Sequence, residues 1–344
     1  QVLVYSMNVF GTADAIGLRG RTLRIHDLKT GEKPAAARRL LLIDEPELYL
    51  HPQGVKRLRQ ALAALSQKGF QVIYATHSPL MLSRENAADA VIIRKDKALG
   101  TLARLPLRHA VASTLDDAQA QSRTLFELGN LAEIYFCDLV VLCEGKTEKR
   151  LLPLLYERLR GRHPELDQVA FVAVGACSDI PKALAVLAAM GIQACGIADL
   201  DFAFTEARKG QKPMLPKDDE TLARTKAALK RLQPQHGYLL GGNELPTKDK
   251  NTGWQAADTW AVFAQDAEGI EISASLHDAL LEQHVWIWKA GCIENVTGHD
   301  EKGEDAILDQ ELAISTMDGV AIQTAMPAIV QCFRWLDRLR ANSG

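Results

Sequence analysis

The chain has 344 residues, 47% of them hydrophobic and 24% charged, and 40 Lys+Arg against 43 Asp+Glu give a net charge of −3. This composition excludes wholesale disorder and a chain that is basic throughout. It leaves room for a local basic patch, because phosphates respond to local charge, and the length suits about two domains.

Short apolar stretches read as strands at Val2–Tyr5, Leu40–Asp44, Gln71–Ala75, Val91–Arg94, Leu139–Cys143, Val169–Val174, Ile192–Ala198 and Val285–Trp288. Several are rich in Val and Ile without polar alternation, as in parallel strands buried on both faces. Helical stripes lie between them. Val55, Leu58, Leu62 and Leu65 form one within Gly54–Gln67. Leu151, Leu155 and Leu159 form another within Glu148–Arg160, and Ile180, Leu184 and Leu187 a third within Asp179–Met190. Strand alternating with helix predicts an α/β chain with parallel sheets. The expected division is a first domain over 1–107, a helical connector over 108–137, and a second domain over 138–344. An insertion at about 202–283 interrupts the second domain; within it, Glu206–Gln235 is charged and helical in pattern.

The six cysteines form no CxxC pair. This argues against zinc ribbons and thioredoxin-like motifs and for reduced thiols in a cytoplasmic protein. No signal peptide is seen, and the most apolar stretch, Ala183–Ile192, is ten residues long. A bilayer crossing takes about 20, so no membrane segment is expected. The first residue is Gln1 rather than Met, so residues before it are expected.

The run Leu40-Leu-Leu-Ile-Asp44-Glu45-Pro46 is an apolar strand ending in two carboxylates. A parallel strand delivers its C-terminal residues to the crevice where ligands bind. There Asp44 could hold Mg²⁺ and Glu45 could orient or deprotonate a water. A second strand ends in Ala75-Thr76-His77-Ser78-Pro79. The pair resembles the second half of an ABC-type ATPase domain, with a Walker B segment, the D-loop after it, and His77 as the histidine that contacts the γ-phosphate. A P-loop needs GxxxxGK[ST]. Gly145-Lys146-Thr147 has Val140 where the first glycine belongs and Glu144 where phosphate would be repelled. The chain is therefore expected to carry only the second lobe of an ATPase, with ATP bound only in a complete protein.

The strand Leu139–Cys143 runs into Glu144-Gly145-Lys146-Thr147-Glu148 and then a helix. Gly145 is expected to allow a tight strand-to-helix turn, and Glu144 and Glu148, four apart, can face one way. The strand Ile192–Ala198 runs into Asp199-Leu200-Asp201. Residues two apart on an extended segment share a face, about 6.6 Å apart, so both aspartates can reach one metal or two adjacent ones. Carboxylates gathered at one sheet edge repel one another, and a hard divalent cation resolves that repulsion. The pattern of strand-EGxxE followed by strand-DxD resembles the TOPRIM domain of topoisomerases, primases and some nucleases.

After the insertion comes His284-Val-Trp-Ile-Trp288-Lys-Ala-Gly291-Cys292-Ile293-Glu294, again a strand, a glycine turn and a carboxylate. An ATPase of this kind joined to a TOPRIM domain resembles the OLD (overcoming lysogenisation defect) family of nucleases over roughly Leu40–Lys302. The resemblance implies a metal site of Glu144, Glu148, Asp199, Asp201 and Glu294, with Lys302 against the scissile phosphate. It implies a metal-dependent DNA endonuclease, regulated by ATP in the full-length protein, paired through its ATPase domain and serving in phage defence. Two Mg²⁺ or Mn²⁺ ions about 4 Å apart would clamp the attacking water and the leaving 3′ oxygen.

Six basic residues lie between Lys146 and Arg162, and eight between Glu206 and Arg231. Beside a nuclease centre the insertion becomes a candidate clamp on the DNA backbone; otherwise these are solvated helix faces. Two other readings remain. One is a TOPRIM enzyme of topoisomerase or primase type, for which neither a tyrosine setting nor a zinc module is seen. The other is a non-catalytic DNA-binding scaffold, against which the complete carboxylate set argues.

Overall fold

The computed structural model describes residues 2–6, 13–19, 22–28, 39–96, 99–129, 132–298 and 303–341. The chain divides into two compact units, Gln1–Phe136 with Val186–Gly191, and Cys137–Ala185 with Ile192–Gly344.

The first unit contains β1 (Val2–Ser6), β2 (Ala13–Arg19), β3 (Thr22–Leu28), β4 (Arg39–Asp44), α1 (Pro52–Gln67), β5 (Phe70–Thr76), α2 (Arg84–Ala87), β6 (Val91–Asp96), β7 (Gly100–Ala103), α3 (Leu107–Thr114) and α4 (Ala118–Gly129). Its main sheet has the order β4-β5-β1-β6-β7. The expected parallel sheet holds only in part. β4 and β5 run parallel, with Asp44 beside Ala75, whereas β1 is antiparallel to both β5 and β6, and β6 to β7. The connections decide this. The helix α1 is long enough to carry the chain back for a parallel partner, while the few residues between β6 and β7 permit only reversal. β4 is also not buried on both faces. It lies at a sheet edge, and Leu40 and Leu42 are 50% and 52% exposed. α1 starts where the sequence stops pairing. His51 Nδ1 accepts from Gln53 N at 3.4 Å, and Pro52 occupies the first turn, where its missing N–H costs nothing.

The second unit contains β8 (Leu139–Cys143), α5 (Lys146–Arg160), β9 (Val169–Ala173), the start of α6 (Ile180–Ala189, divided between the units after Ala185), β10 (Ala194–Ala198), α7 (Glu220–His236), β11 (Leu239–Leu240), β12 (Pro246–Thr247), α8 (Ala256–Gln265), α9 (Ala267–Leu281), β13 (Val285–Ile287), α10 (Ile293–Thr297), α11 (Glu304–Thr316), α12 (Gly319–Ala325) and α13 (Pro327–Ala341). Its sheet, β13-β10-β8-β9, is parallel throughout. The excursion from α7 through the β11–β12 hairpin to α9 separates β10 from β13 in sequence, yet those strands are neighbours. His277 of α9 helps seat the short β13: its buried ring places Nδ1 2.9 Å from Ile287 O.

The core of this unit lies on the sheet face covered by α5 and the C-terminal helices. Val141, Cys143 and Ile197 meet Leu151, Leu155, Ile314, Ile322, Ile329 and Phe333 there. Tyr156, Phe171 and Phe333 meet edge to face. Phe333 and Ile329 on α13 are the apolar stripe of a helix whose basic residues, Arg338 and Arg340, close its last turn. No described helix is long and apolar enough to cross a membrane.

Candidate functional site

In a parallel sheet the strand C-termini share one edge. Register places Cys143 beside Ile197 and Ala198 beside Ile287. The residues after β8 and β10, Glu144 and Asp199, therefore leave adjacent strands at that edge. The loop after β13 joins them: Trp288 N donates to Ala198 O at 3.1 Å and Leu200 N to Gly291 O at 2.7 Å. These two bonds tie the Glu294 loop to the Asp199 loop. Gly291 has φ +116°, and a Cβ there would lie 2.7 Å from Asn295 Oδ1. The turn thus requires glycine for both conformation and space.

Two local expectations are corrected. Gly145 has φ −130° and ψ −170°, extended backbone that any residue adopts. What distinguishes the position is proximity: Gly145 N donates to Glu148 Oε2 at 3.2 Å, and a Cβ would stand 3.4 Å from the same oxygen. Asp199 and Asp201 do not share an extended segment either. β10 ends at Ala198, and Leu200–Phe204 forms a 3₁₀ turn, with Thr205 Oγ1 donating to Asp201 O at 2.9 Å. Leu200, Phe202 and Phe204 are buried and pull the chain into that turn.

The five predicted carboxylates nevertheless act on one another. Burial raises the Asp199 pKa well above the usual carboxylate range, and the charges of Glu148, Glu144, Asp201 and Glu294 raise it further. Asp199 Oδ1 is buried and accepts no hydrogen bond among the described residues. Glu148 is 5% exposed, and Glu294 sits in the first turn of α10. Among the described residues no three His, Cys, Asp or Glu side chains already converge as a ligand set. The carboxylates are gathered without being closed around a point. A buried, undonated carboxylate oxygen among like charges fits a hard divalent cation. Lys302 lies outside the described residues.

Two thiols border the carboxylates: Cys177, to which the sequence gave no role, and Cys292, which stands two before Glu294 where the resemblance implies a small polar or acidic residue. Burial pushes Cys177 up to about 12, with Glu144, Asp201 and Glu206 adding to the shift. Burial likewise pushes Cys292 up to about 12, here with Asp199 and Glu294. Cys292 precedes α10, its N–H donating to Asn295 Oδ1 at 3.1 Å. The signals were a cysteine two residues after Gly175 and one directly after Gly291.

Most of the basic residues singled out from sequence are engaged within the chain. Arg150 meets Glu304 and Glu311, Lys146 meets Glu304, and Arg160 and Arg162 meet Asp337 and Asp167. In the excursion, Arg224 meets Glu268 and Glu271, Arg231 meets Asp266 and Glu268, and Lys226 and Lys230 meet Glu244. Lys209 pairs with Glu206. Arg208 is buried, pairs with Asp219 and donates to Ala203 O at 2.9 Å. These contacts brace the turn that follows Asp201.

In the first unit, Asp44 ends β4, and Glu45 N donates to Ala75 O at 2.9 Å. His77 Nε2 is 3.5 Å from Glu45 Oε1. Glu47, not predicted, links the two strand ends: its Oε1 accepts from the buried Thr76 hydroxyl and from His77 N at 3.2 Å. The signal for it was a third carboxylate two residues past the DE pair.

Two segments of the chain match known families. Residues 135–201 match the family model of the overcoming lysogenization defect protein-like TOPRIM domain. Residues 26–83 match that of the AAA domain, putative AbiEii toxin, Type IV TA system. The chain is thus similar to OLD proteins in a segment matching their TOPRIM domain, preceded by a segment matching an AAA domain. It is 31% identical to the Old nuclease of Escherichia phage P2 over 272 residues, 78% of this chain and 45% of the relative. It is 26% identical to the OLD nuclease of Thermus scotoductus over 189 residues, 53% of this chain and 35% of the relative. The chain therefore spans less than half the length of either. A solved C-terminal region of the Xanthomonas campestris pv. campestris OLD protein covers 61% of this chain and 96% of its own, at 17% identity and a TM-score of 0.26.

Proposed function

We propose that the second unit carries the centre of a divalent-metal-dependent DNA endonuclease. Glu144, Glu148, Asp199, Asp201 and Glu294 would hold two Mg²⁺ or Mn²⁺ ions, and Lys302 would offset charge on the phosphate. Domain 138–344 is the nuclease part, with its insertion at about 202–283. Domain 1–107 is the C-terminal lobe of an ATPase that regulates and pairs the longer protein, with Asp44, Glu45 and His77 at its nucleotide. Residues 108–137 connect the two.

The observation that carries this reading is the meeting of carboxylates from three strand ends around Asp199, whose Oδ1 is buried without a donor. When bound, a divalent cation lowers the pKa of an attacking water and polarises the phosphodiester. The chain's own residues do the rest. Glu148, held by Gly145 N, and Asp199, held by the clamped loops, would turn their carboxylate oxygens to the cation in a shielded place where water competes poorly. Arg208 braces the turn that carries Asp201.

The test is supercoiled plasmid incubated with the chain and Mg²⁺, Mn²⁺ or EDTA. Nicking and linearisation with metal, abolished by EDTA, are expected. Glu144→Gln and Asp199→Asn should lower the rate on the order of 100-fold or more at unchanged circular dichroism. Wild-type nicking by either folded variant would overturn the assignment. Relaxation to discrete topoisomers would favour strand passage.

A further inference from the structure

The strand ends of the first unit carry a carboxylate that the proposed chemistry does not use. Glu47 lies two residues past Glu45, in a turn of unusual backbone. Glu45 has φ +44°, in the left-handed region where a residue with a side chain is strained. Glu45 N keeps one more bond to β5, donating to Ala75 O at 2.9 Å, and Leu48 N closes the turn on Glu45 O at 3.2 Å. This turn brings the Glu47 carboxylate to the end of β5. Its Oε1 accepts from the Thr76 hydroxyl and from His77 N at 3.2 Å. Thr76 is fully buried, and its Oγ1 accepts in turn from Ser78 N at 3.0 Å. One carboxylate oxygen thus fixes Thr76, His77 and, through Thr76, Ser78. The His77 side chain is 60% exposed, so packing does little to place it, yet its Nε2 stands 3.5 Å from Glu45 Oε1. Glu47 Oε2 is buried and accepts no hydrogen bond among the described residues. Shielding half of a carboxylate in this way costs free energy that a neutral brace between two strands would not.

We propose that Glu47 is a positioning residue for nucleotide hydrolysis, acting through His77. The inference rests on the reading of the first unit as an ATPase lobe with Asp44, Glu45 and His77 at its nucleotide. By holding the backbone of His77, Glu47 keeps the imidazole and the Glu45 carboxylate at a fixed spacing. A water and a γ-phosphate entering beside that pair would meet an acceptor and a ring nitrogen already in place. In the step, the water oxygen bonds the γ-phosphorus, the bond to the β-phosphate oxygen breaks, and the water's proton passes toward Glu45. Geometry held in advance lowers the barrier to such a step, and a small misplacement forfeits it. Without Glu47 the exposed ring loses its anchor, while Asp44 and Glu45 stay on β4 and its turn.

The test measures ATP hydrolysis by the full-length protein with Glu47, Thr76 and His77 replaced singly and in pairs. Glu47→Ala should lower kcat on the order of 10-fold and leave KM for ATP within about twofold. Glu47→Gln keeps an acceptor oxygen in place and should recover most of that loss. Added to His77→Ala, Glu47→Ala should cost nothing further, because the two residues act as one unit. Thr76→Val removes one of the two donors and should show a smaller loss, likewise silent in the His77→Ala background. In this chain, the His77 amide proton should move upfield in the ¹⁵N-correlated NMR spectrum of Glu47→Ala, at unchanged circular dichroism. Wild-type kcat in folded Glu47→Ala overturns the inference. So does a loss that adds in full to that of His77→Ala, as a structural brace would give. Should Glu47→Ala not fold, the same additivity in Thr76→Val overturns it. If the wild type hydrolyses ATP and the amide does not move, the Glu47 assignment alone fails. If the wild type hydrolyses no ATP, the ATPase reading fails with it.

Discussion

At the scale of single residues, Asp199 has the most consequential environment. Its pKa is raised, first by burial and then by four neighbouring carboxylates. A carboxyl raised in the folded state favours folding only below its unfolded value, about 3.9, and that contribution is lost as pH rises through the folded value. Burying Asp199 among these charges therefore opposes folding of the metal-free chain above that unfolded value. Asp199→Asn should raise the thermal midpoint in EDTA at pH 7, and the gain should vanish below about pH 4. Adding Mn²⁺ should raise the wild-type midpoint and leave that of the variant in place. Equal midpoints for the two proteins at both pH values, in EDTA, would remove the buried charge from the account. Asp199 and Asp201 were legible as a pair at a strand end. The 3₁₀ turn between them was not, because it is imposed by the burial of Leu200, Phe202 and Phe204, a tertiary effect.

At the scale of elements, the excursion shows how sequence charge is converted into structure. Asp266 begins α9, its carboxylate accepting from Glu268 N at 3.1 Å and meeting Arg231 of α7 at 2.8 Å. The hydrogen bond from Arg231 holds the Asp266 pKa below its ordinary value. A lowered carboxylate contributes stability above its unfolded value, and this is lost as pH falls through the folded value. Asp266→Ala should cost about 1 kcal/mol at pH 7 through the lost cap. Asp266→Asn should cost less, and both differences should shrink toward acid pH; urea unfolding at pH 7 and pH 3 checks this. A cost that is the same at both pH values would separate the cap from its charge. The strands of the parallel sheet were legible because buried parallel strands read as continuous apolar runs, as in Leu139–Cys143. β7, with one partly buried residue among exposed ones, and the two-residue β11 and β12 carry no such signal.

At the scale of the whole molecule, the order of carboxylate-bearing strand ends was readable, since each motif follows its own apolar strand. The direction of β1 in the first unit was not, because it is set by partners far along the chain, Thr76 and Ile92 among them. Nor was the fate of the basic residues, whose partners lie up to 177 positions away. That fate bears on how duplex DNA would be held. Ten of the fourteen cations in the two basic segments already sit in ion pairs with the chain's own carboxylates. A cation that keeps its carboxylate displaces no counterion from DNA. Each phosphate neutralised steepens log K against log salt by about 0.9. Binding through the other four should therefore give a slope no steeper than about −4 from these segments, whereas engagement of all fourteen would give about −13. Fluorescence anisotropy on a labelled duplex across a salt series, in EDTA, measures it. The ion pairs would then make grip on the substrate weakly responsive to ionic strength, so that turnover is set by metal supply more than by electrostatic capture.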